Sequence, residues 1–232
     1  MFVEIINFVA KGLIMASATV ENYLKALYTL ANQDGEINLS DLSIRLGVSK
    51  PTVNSMVKTL DQEGWVKYKK YKPLKLTIKG HKAAALIIRK HRLTEMYLVE
   101  KMGFGWEEVH DIAEQIEHIK APLFFDRMDK LMSFPKVDPH GSPIPDKNGI
   151  VVDHNYKKLS ECRIGDKIRI VALDHSSKEF LEFLDSREIS LNLDLEVTSI
   201  EPFDHSMIIK YNGHPSETFS QKVSERLLVK HI

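Results

Sequence analysis

The chain has 232 residues, 43% of them hydrophobic, which is enough for a sizeable core and for more than one domain. Lysine plus arginine number 32 and aspartate plus glutamate 32, so no net charge marks the chain for nucleic acid, membrane or acidic substrates; any such surface must come from local clustering. Its one cysteine, Cys162, excludes an intramolecular disulfide and a cysteine-rich zinc site, and suits a reducing cytoplasm.

Residues 1–15 read as an N-terminal extension. The acid Glu4 precedes the apolar run and Lys11 follows it, the reverse of a secretory leader, and the run is too short to span a membrane. Met15 offers a second start. Residues 20–32 place Tyr23, Leu24, Leu27, Tyr28 and Leu30 at helical spacing. Ser40 then stands as the cap of a helix with Leu42, Ile44 and Leu46 on its buried side, broken at Gly47. Ser49 caps a further helix, with Pro51 in its first turn and Val53, Met56, Val57 and Leu60 as its apolar stripe, ending at Gly64. "WVKYKKY" and "LKLTI", parted by Lys72-Pro73, read as two short strands around a turn. Helix, turn, helix and hairpin make a winged helix-turn-helix.

Helical periodicity resumes over 79–102, and Gly103 and Gly105 interrupt it. Trp106 opens a helix predicted to run to Lys120, and another covers about 123–132. Residues 133–149 are rich in Pro and Gly and read as a loop. After 155, "IGDKIRIVAL", "LDLEVTSIEP", "HSMIIKYNG" and "RLLVKHI" alternate as short strands, with a short helix at "EFLEFLDSREI", which suggests a small SH3-like β-barrel. The fold class is therefore mostly α with a β-rich C-terminal domain. It divides into an extension (1–15), a winged helix-turn-helix domain (16–83), a helical domain (84–149) and an SH3-like domain (150–232).

In a helix-turn-helix the start of the second helix meets base edges and phosphates. Here that start offers Ser49, Lys50, Pro51, Thr52, Asn54, Ser55 and Lys58, with Ser40 on the helix before it. Asn54 has the donor and acceptor that read adenine, and the helix N-terminus offers free N–H groups to a phosphate. Lys67, Lys69, Lys70, Lys72 and Lys75 follow without an intervening acid, interleaved with Tyr68 and Tyr71. A solubilising hairpin face would look the same; beside a helix-turn-helix these lysines read as a wing that tracks the DNA backbone.

The stretch "VHDIAEQIEHI" carries a second pattern. On an ideal wheel, with His110 at zero, Glu114 falls near about 40°, Glu117 near about −20° and His118 near about 80°. Val109, Ile112, Ala113, Ile116 and Ile119 take the other side. Two carboxylates and two imidazoles on one face can meet shared metals. One helix earlier, "RKHRLTE" sets His91 and Glu95 one turn apart. A solvated surface could carry one such pair idly; two pairs on consecutive helices favour a metal. No H-E-x-x-H motif points to a zinc hydrolase, and no residue is assigned a catalytic role.

The pieces "TVENYL", "GVSKPTVNSMVKTLDQEGWV", "LTIKG", "RKHRLTE", "VHDIAEQIEHI" and "DPHGSPIP", in this order and spacing, resemble the diphtheria-toxin-repressor family of iron- and manganese-dependent transcription regulators over about residues 19–149. The tail resembles the FeoA-type domain of its longer members. The resemblance implies that His91, Glu95 and His110 ligate one metal and that Glu114, Glu117 and His118 belong to another cluster. Glu114 stands where the iron branch has cysteine and the manganese branch glutamate, so the resemblance sides with manganese. Donors without thiolate agree in direction. Asn22 stands at a manganese-branch aspartate and brings an uncharged oxygen. Lys25 stands at a second carboxylate and cannot ligate while protonated. Asp138 and His140 of "DPHG" resemble ancillary ligands, a plain turn being the alternative, and Asp174 or His175 could add a ligand from the tail.

The expected function is a repressor activated by Mn²⁺ or Fe²⁺, with Zn²⁺ or Co²⁺ as in-vitro substitutes, that controls metal-homeostasis genes. It is expected in the cytoplasm as a homodimer on double-stranded operator DNA, with no membrane partner and no small-molecule substrate. Trp106, Met96 and Leu98 are candidates for the dimer surface. The alternatives are a DNA-binding regulator with a permanent structural metal and a metallohydrolase with an accessory DNA domain.

Overall fold

The computed structural model describes residues 16–70, 72–152 and 154–232; the expected extension over 1–15 and the wing's Tyr71 lie outside these. The chain forms two compact units. The first takes residues up to Thr94, Ala113–Phe134 and Ile144–Val152; the second takes Glu95–Ile112, Pro135–Pro143 and Asp153–Ile232.

In the first unit, α1 (Ala18–Leu30) starts at Ser17, whose side chain accepts from Val20 N–H. Helix α2 (Leu39–Leu46) is capped by Asn38 rather than by the expected Ser40, which instead donates its N–H to the Asn38 side chain. Gly47, in the left-handed conformation, ends it. Leu42 is fully buried there, but Ile44 is 80% exposed, against expectation. The i, i+2, i+4 spacing of Leu42, Ile44 and Leu46 is a strand period and does not share one helix face. Helix α3 (Lys50–Gln62) is capped by Ser49 with proline in its first turn, and buries Val53, Val57 and Leu60.

Strands β1 (Val66–Lys67) and β2 (Lys75–Leu76) pair antiparallel, and Ile37 bridges to Leu74 beside them. Helix α4 (Ile78–Met102) follows at once. Thr77 caps it by accepting from Gly80 N–H. Gly80 has no alternative, since a Cβ there would fall on the Trp65 carbonyl oxygen. The core joins Leu24, Leu27, Leu42, Val57, Leu60, Leu74 and Ile87. Helix α6 (Pro122–Leu131) opens on its proline.

The helix expected from Trp106 to Lys120 is shorter at both ends: α5 covers Val109–Ile116. Residues 105–108 close a turn in which Gly105 N–H donates to the Glu108 carboxylate. Glu117 and His118 follow α5 in a turn, although Glu117 N–H still donates to Ala113 O at 2.9 Å.

The second unit is built on a six-stranded antiparallel sheet. Its strands are β3 (Lys157–Lys158), β4 (Lys167–Leu173), β5 (Asp194–Ile200), β6 (Met207–Tyr211), β7 (His214–Phe219) and β8 (Leu227–His231), in the order β3-β8-β4-β5-β6-β7. Helix α7 (Lys178–Asp185) buries Phe180, Leu181 and Leu184 on a core with Ile168, Ile170, Val197, Ile209 and Phe219.

Candidate metal centres and nucleic-acid interface

Two sets of chemistry-bearing side chains converge, one in each unit. In the second unit, the far half of α4 supplies Glu95, the start of α5 supplies His110, and the "DPHG" turn supplies Asp138 and His140. Glu95, Asp138 and His140 are 3%, 4% and 5% exposed, and one ligand atom from each lies within 4.8 Å of the others. His110 Nδ1 stands 3.3 Å from Glu95 Oε1, and His140 Nδ1 stands 4.0 Å from Glu95 Oε2.

The turn is tightly made. Asp138 Oδ1 accepts from the N–H groups of His140 and Ser142, both at 2.9 Å, and the His140 carbonyl accepts from Leu173 N–H on β4 at 2.9 Å. His140 Nε2 donates to the Trp106 carbonyl at 2.9 Å, which in the neutral ring leaves Nδ1 as the lone-pair nitrogen. Trp106 stacks on His140 at 6.0 Å between centroids, and its indole N–H donates to Asp185. Carboxylate and imidazole donors buried together, with one ring's tautomer fixed from behind, fit a divalent first-row ion. The "DPHG" segment is a tight turn, and that turn brings Asp138 and His140 beside Glu95.

In the first unit, α1 faces the segment that ends α5. His91 Nδ1 lies 2.6 Å from Glu117 Oε2, and His118 Nδ1 lies 2.6 Å from Glu21 Oε2. Ligand atoms of His91 and Glu114 come within 4.8 Å. Lys25 is seated between the carboxylates. Its ammonium donates to Glu114 Oε1, to Glu117 Oε1 at 2.7 Å and to Glu117 Oε2 at 2.9 Å. Lys120 donates to Glu21 Oε1, and Lys90 donates to the Glu117 carbonyl at 2.9 Å. Burial pushes the Lys90 ammonium below its ordinary value; Glu21 opposes this, Lys120 adds to it and Glu117 opposes it. Asn22 Oδ1 is buried with no hydrogen-bond partner among the described residues, an acceptor suited to a cation. The carboxylates beside it already hold an ammonium, so this cluster as it stands does not fit a divalent ion.

Glu21, fully buried, was not singled out from sequence. A signal was present: Glu21 and Lys25 stand one helical turn apart on α1, the face that also leads toward Asn22. The Asp174 carboxylate meets Lys158 at 3.0 Å and His175 at 3.5 Å. It is not part of the Glu95–Asp138–His140 group. Of the dimer-surface candidates, Leu98 is buried, Met96 is half-buried, and Trp106, also half-buried, is engaged by Asp185 and His140. Leu123, Phe124, Leu131 and Phe134, on and just after α6, are exposed apolar residues, as are Met102 and Ile119 earlier in the helical segment.

On the winged side, Ser49, Lys50, Pro51, Thr52, Ser55 and Lys58 are exposed along the start of α3, and Lys69, Lys70 and Lys72 are exposed on the hairpin. Ser40, in the first turn of α2, is half-buried. Ser49 Oγ and Thr52 Oγ1 share a hydrogen bond at 2.8 Å. The Tyr68 hydroxyl donates to Asn54 Oδ1 at 2.8 Å, which sets the way round the amide sits. Lys75 is committed elsewhere, to the Asp34 carbonyl and to Glu36, both at 3.1 Å.

Three known families match segments of the chain. Residues 15–74 match the family "Iron dependent repressor, N-terminal DNA binding domain", residues 77–146 match "Iron dependent repressor, metal binding and dimerisation domain", and residues 157–231 match the "FeoA domain". The iron-dependent repressor IdeR of Mycobacterium tuberculosis is 32% identical over 160 residues, 66% of this chain and 70% of that protein. A solved structure described as a manganese-dependent transcriptional repressor in complex with manganese is 30% identical, with a TM-score of 0.83 over 91% of this chain and 99% of that one. The repressor ScaR, solved with bound Zn²⁺, is 29% identical, with a TM-score of 0.76 over 91% and 99%.

Proposed function

Because the chain belongs to the iron-dependent repressor family of metal-dependent transcriptional repressors, we propose that it is a metal-activated repressor that binds operator DNA as a homodimer. The observation that carries the metal half of this reading is the buried group Glu95, Asp138 and His140, with His110 against Glu95. Its donors suit Mn²⁺ or Fe²⁺ and accept Zn²⁺ or Co²⁺ in vitro. A divalent ion, when bound, supplies the positive charge that lets these carboxylates stay ionised side by side. Glu95 lies on α4, the helix that begins directly after β2 of the wing.

The functional division follows the segments 16–83 for DNA, 84–149 for metal and dimerisation, and 150–232 for the FeoA-type domain. Asn22, Glu114, Glu117 and His118, with His91 beside Glu117, surround the Lys25 ammonium and are not open to a divalent ion while it is seated there, and Asp174 supplies a ligand only by leaving Lys158. The exposed apolar residues on and just after α6 support a dimer surface. Two copies then place their α3 helices about one duplex turn apart, ~34 Å for this motif class. The chain acts by binding, on metal-homeostasis genes in the cytoplasm. No helix among the described residues is long and apolar enough to cross a membrane.

The test is DNA binding to the promoter region upstream of the protein's own gene, in chelator and in Mn²⁺, Fe²⁺ and Zn²⁺ compared. Affinity should rise with Mn²⁺ or Fe²⁺, and by linkage DNA should tighten metal binding by the same factor. Equal affinity in chelator and in each metal would sink the switch.

A further inference from the structure

The ammonium of Lys25 has three N–H donors, and three carboxylate oxygens receive them: Glu114 Oε1, Glu117 Oε1 and Glu117 Oε2. Glu117 has no solvent-accessible side-chain surface, and Lys25 is 16% exposed. A carboxylate buried to that degree persists only with a cation and a full set of hydrogen bonds. Lys25 supplies the cation and, with His91 Nδ1 at 2.6 Å from Glu117 Oε2, the hydrogen bonds. The wider cluster is balanced in the same way: the carboxylates of Glu21, Glu114 and Glu117 face the ammoniums of Lys25, Lys90 and Lys120, three of each sign. A divalent ion held by Glu114 and Glu117 would need the very oxygens that Lys25 occupies. It would also sit beside a protonated amine and leave the cluster with an excess of positive charge.

We infer that the Lys25 ammonium is the resident cation of the Asn22–Glu114–Glu117–His118 cluster. It ties α1 of the winged region to the segment ending α5 without any metal, and the chain takes up one regulatory divalent ion rather than two. The count of one rests on the Glu95–His110–Asp138–His140 reading above; the exclusion at Lys25 does not. The consequence for regulation is that the α1 tie is present at every metal concentration, so what metal changes lies at the Glu95 site alone.

The experiment is equilibrium dialysis of the full chain against Mn²⁺, with bound metal counted by mass spectrometry. Wild type should hold one ion, Lys25→Glu two, His140→Ala none, and Glu114→Gln still one. Glu114→Gln keeps the inference testable if Lys25→Glu fails to fold, because Glu114 is 35% exposed and its loss is tolerable. Two ions in wild type, or loss of an ion in Glu114→Gln, would overturn the inference; if His140→Ala in addition kept its full count, the Glu95 reading would fall with it. No ion in wild type with one in Lys25→Glu would overturn the Glu95 reading and uphold the role of Lys25.

Discussion

Lys25 and Glu117, 92 residues apart in the chain, form a buried ion pair in which one ammonium meets both oxygens of one carboxylate, at 2.7 and 2.9 Å. Removing one partner of such a pair leaves the other buried and uncompensated, typically at a cost of about 3–5 kcal/mol. Lys25→Met should therefore lower unfolding stability in chelator by roughly 3 kcal/mol, the low end, because His91 still faces Glu117 at 2.6 Å. The check is the urea midpoint at unchanged slope. A shift of a few tenths of a kcal/mol would mean the pair contributes nothing net.

Gly141 holds the "DPHG" turn against β4. Its φ is +84°, and a Cβ there would fall on the Val171 carbonyl and the Ala172 Cα. Gly141→Ala should push the turn off β4, break the bond from Leu173 N–H to the His140 carbonyl, and misplace Asp138 and His140 while changing no ligand. Mn²⁺ affinity should fall about 10- to 100-fold, the range for lost outer-shell support. Gly213→Ala is the control: its φ is +79° but open space surrounds it, so backbone strain is added with no loss of Mn²⁺ binding. Calorimetric titration of both variants separates strain from displacement of the site.

Cys162 is 5% exposed, and burial first, then Asp166, pushes its thiol up, with Lys157 opposing and Glu161 adding to the rise. The thiolate is the reactive form, so the native thiol should stay inert to a disulfide reagent at pH 8 and titrate as one equivalent only in denaturant. Rapid modification of native protein would show that the β-domain opens far more readily than its packing implies.

The parts legible in the sequence were those set by local rules. Ser49, Pro51 and the Val53–Val57–Leu60 stripe are cap, first turn and face of one helix, and each depends on neighbours within a turn or two. Ile44 misled because alternate residues were assigned to one helix face. Strand β7 escaped notice because "HPSETF" carries no apolar alternation; as the last strand in the sheet order it buries only Phe219 and tolerates Pro215. At the site, the spacing of His110, Glu114, Glu117 and His118 was readable, and so was the misfit at Lys25. Where Lys25 goes was not, because its partners stand 89 and 92 residues away and only tertiary packing brings them to it. The split of the donors between two clusters was hidden for the same reason: Asp138 and His140 join Glu95 through a turn fixed to β4, an arrangement no local pattern encodes.

The wing offers the remaining prediction. Lys69, Lys70 and Lys72 are exposed, whereas Lys75 is held by the Asp34 carbonyl and Glu36. Lysines on phosphates give affinity without sequence preference, and each neutralised phosphate contributes about 0.9 to the slope of log affinity against log salt. Replacing Lys69, Lys70 and Lys72 together by glutamine should weaken operator and random DNA alike and flatten that slope by about 0.9 for each phosphate no longer neutralised. Lys75→Gln should leave both nearly unchanged. Asn54→Ala should behave differently, since a base-reading side chain carries about 1–3 kcal/mol of discrimination at one position: affinity for the operator should fall while random DNA is little affected. Tyr68→Phe should give a weaker form of the same effect, because it removes only the hydroxyl that donates to Asn54 Oδ1. Fluorescence anisotropy with operator and scrambled duplexes over a salt series measures all four variants. A selective loss in the triple lysine variant, or a uniform loss in Asn54→Ala, would reverse the roles assigned to wing and recognition helix.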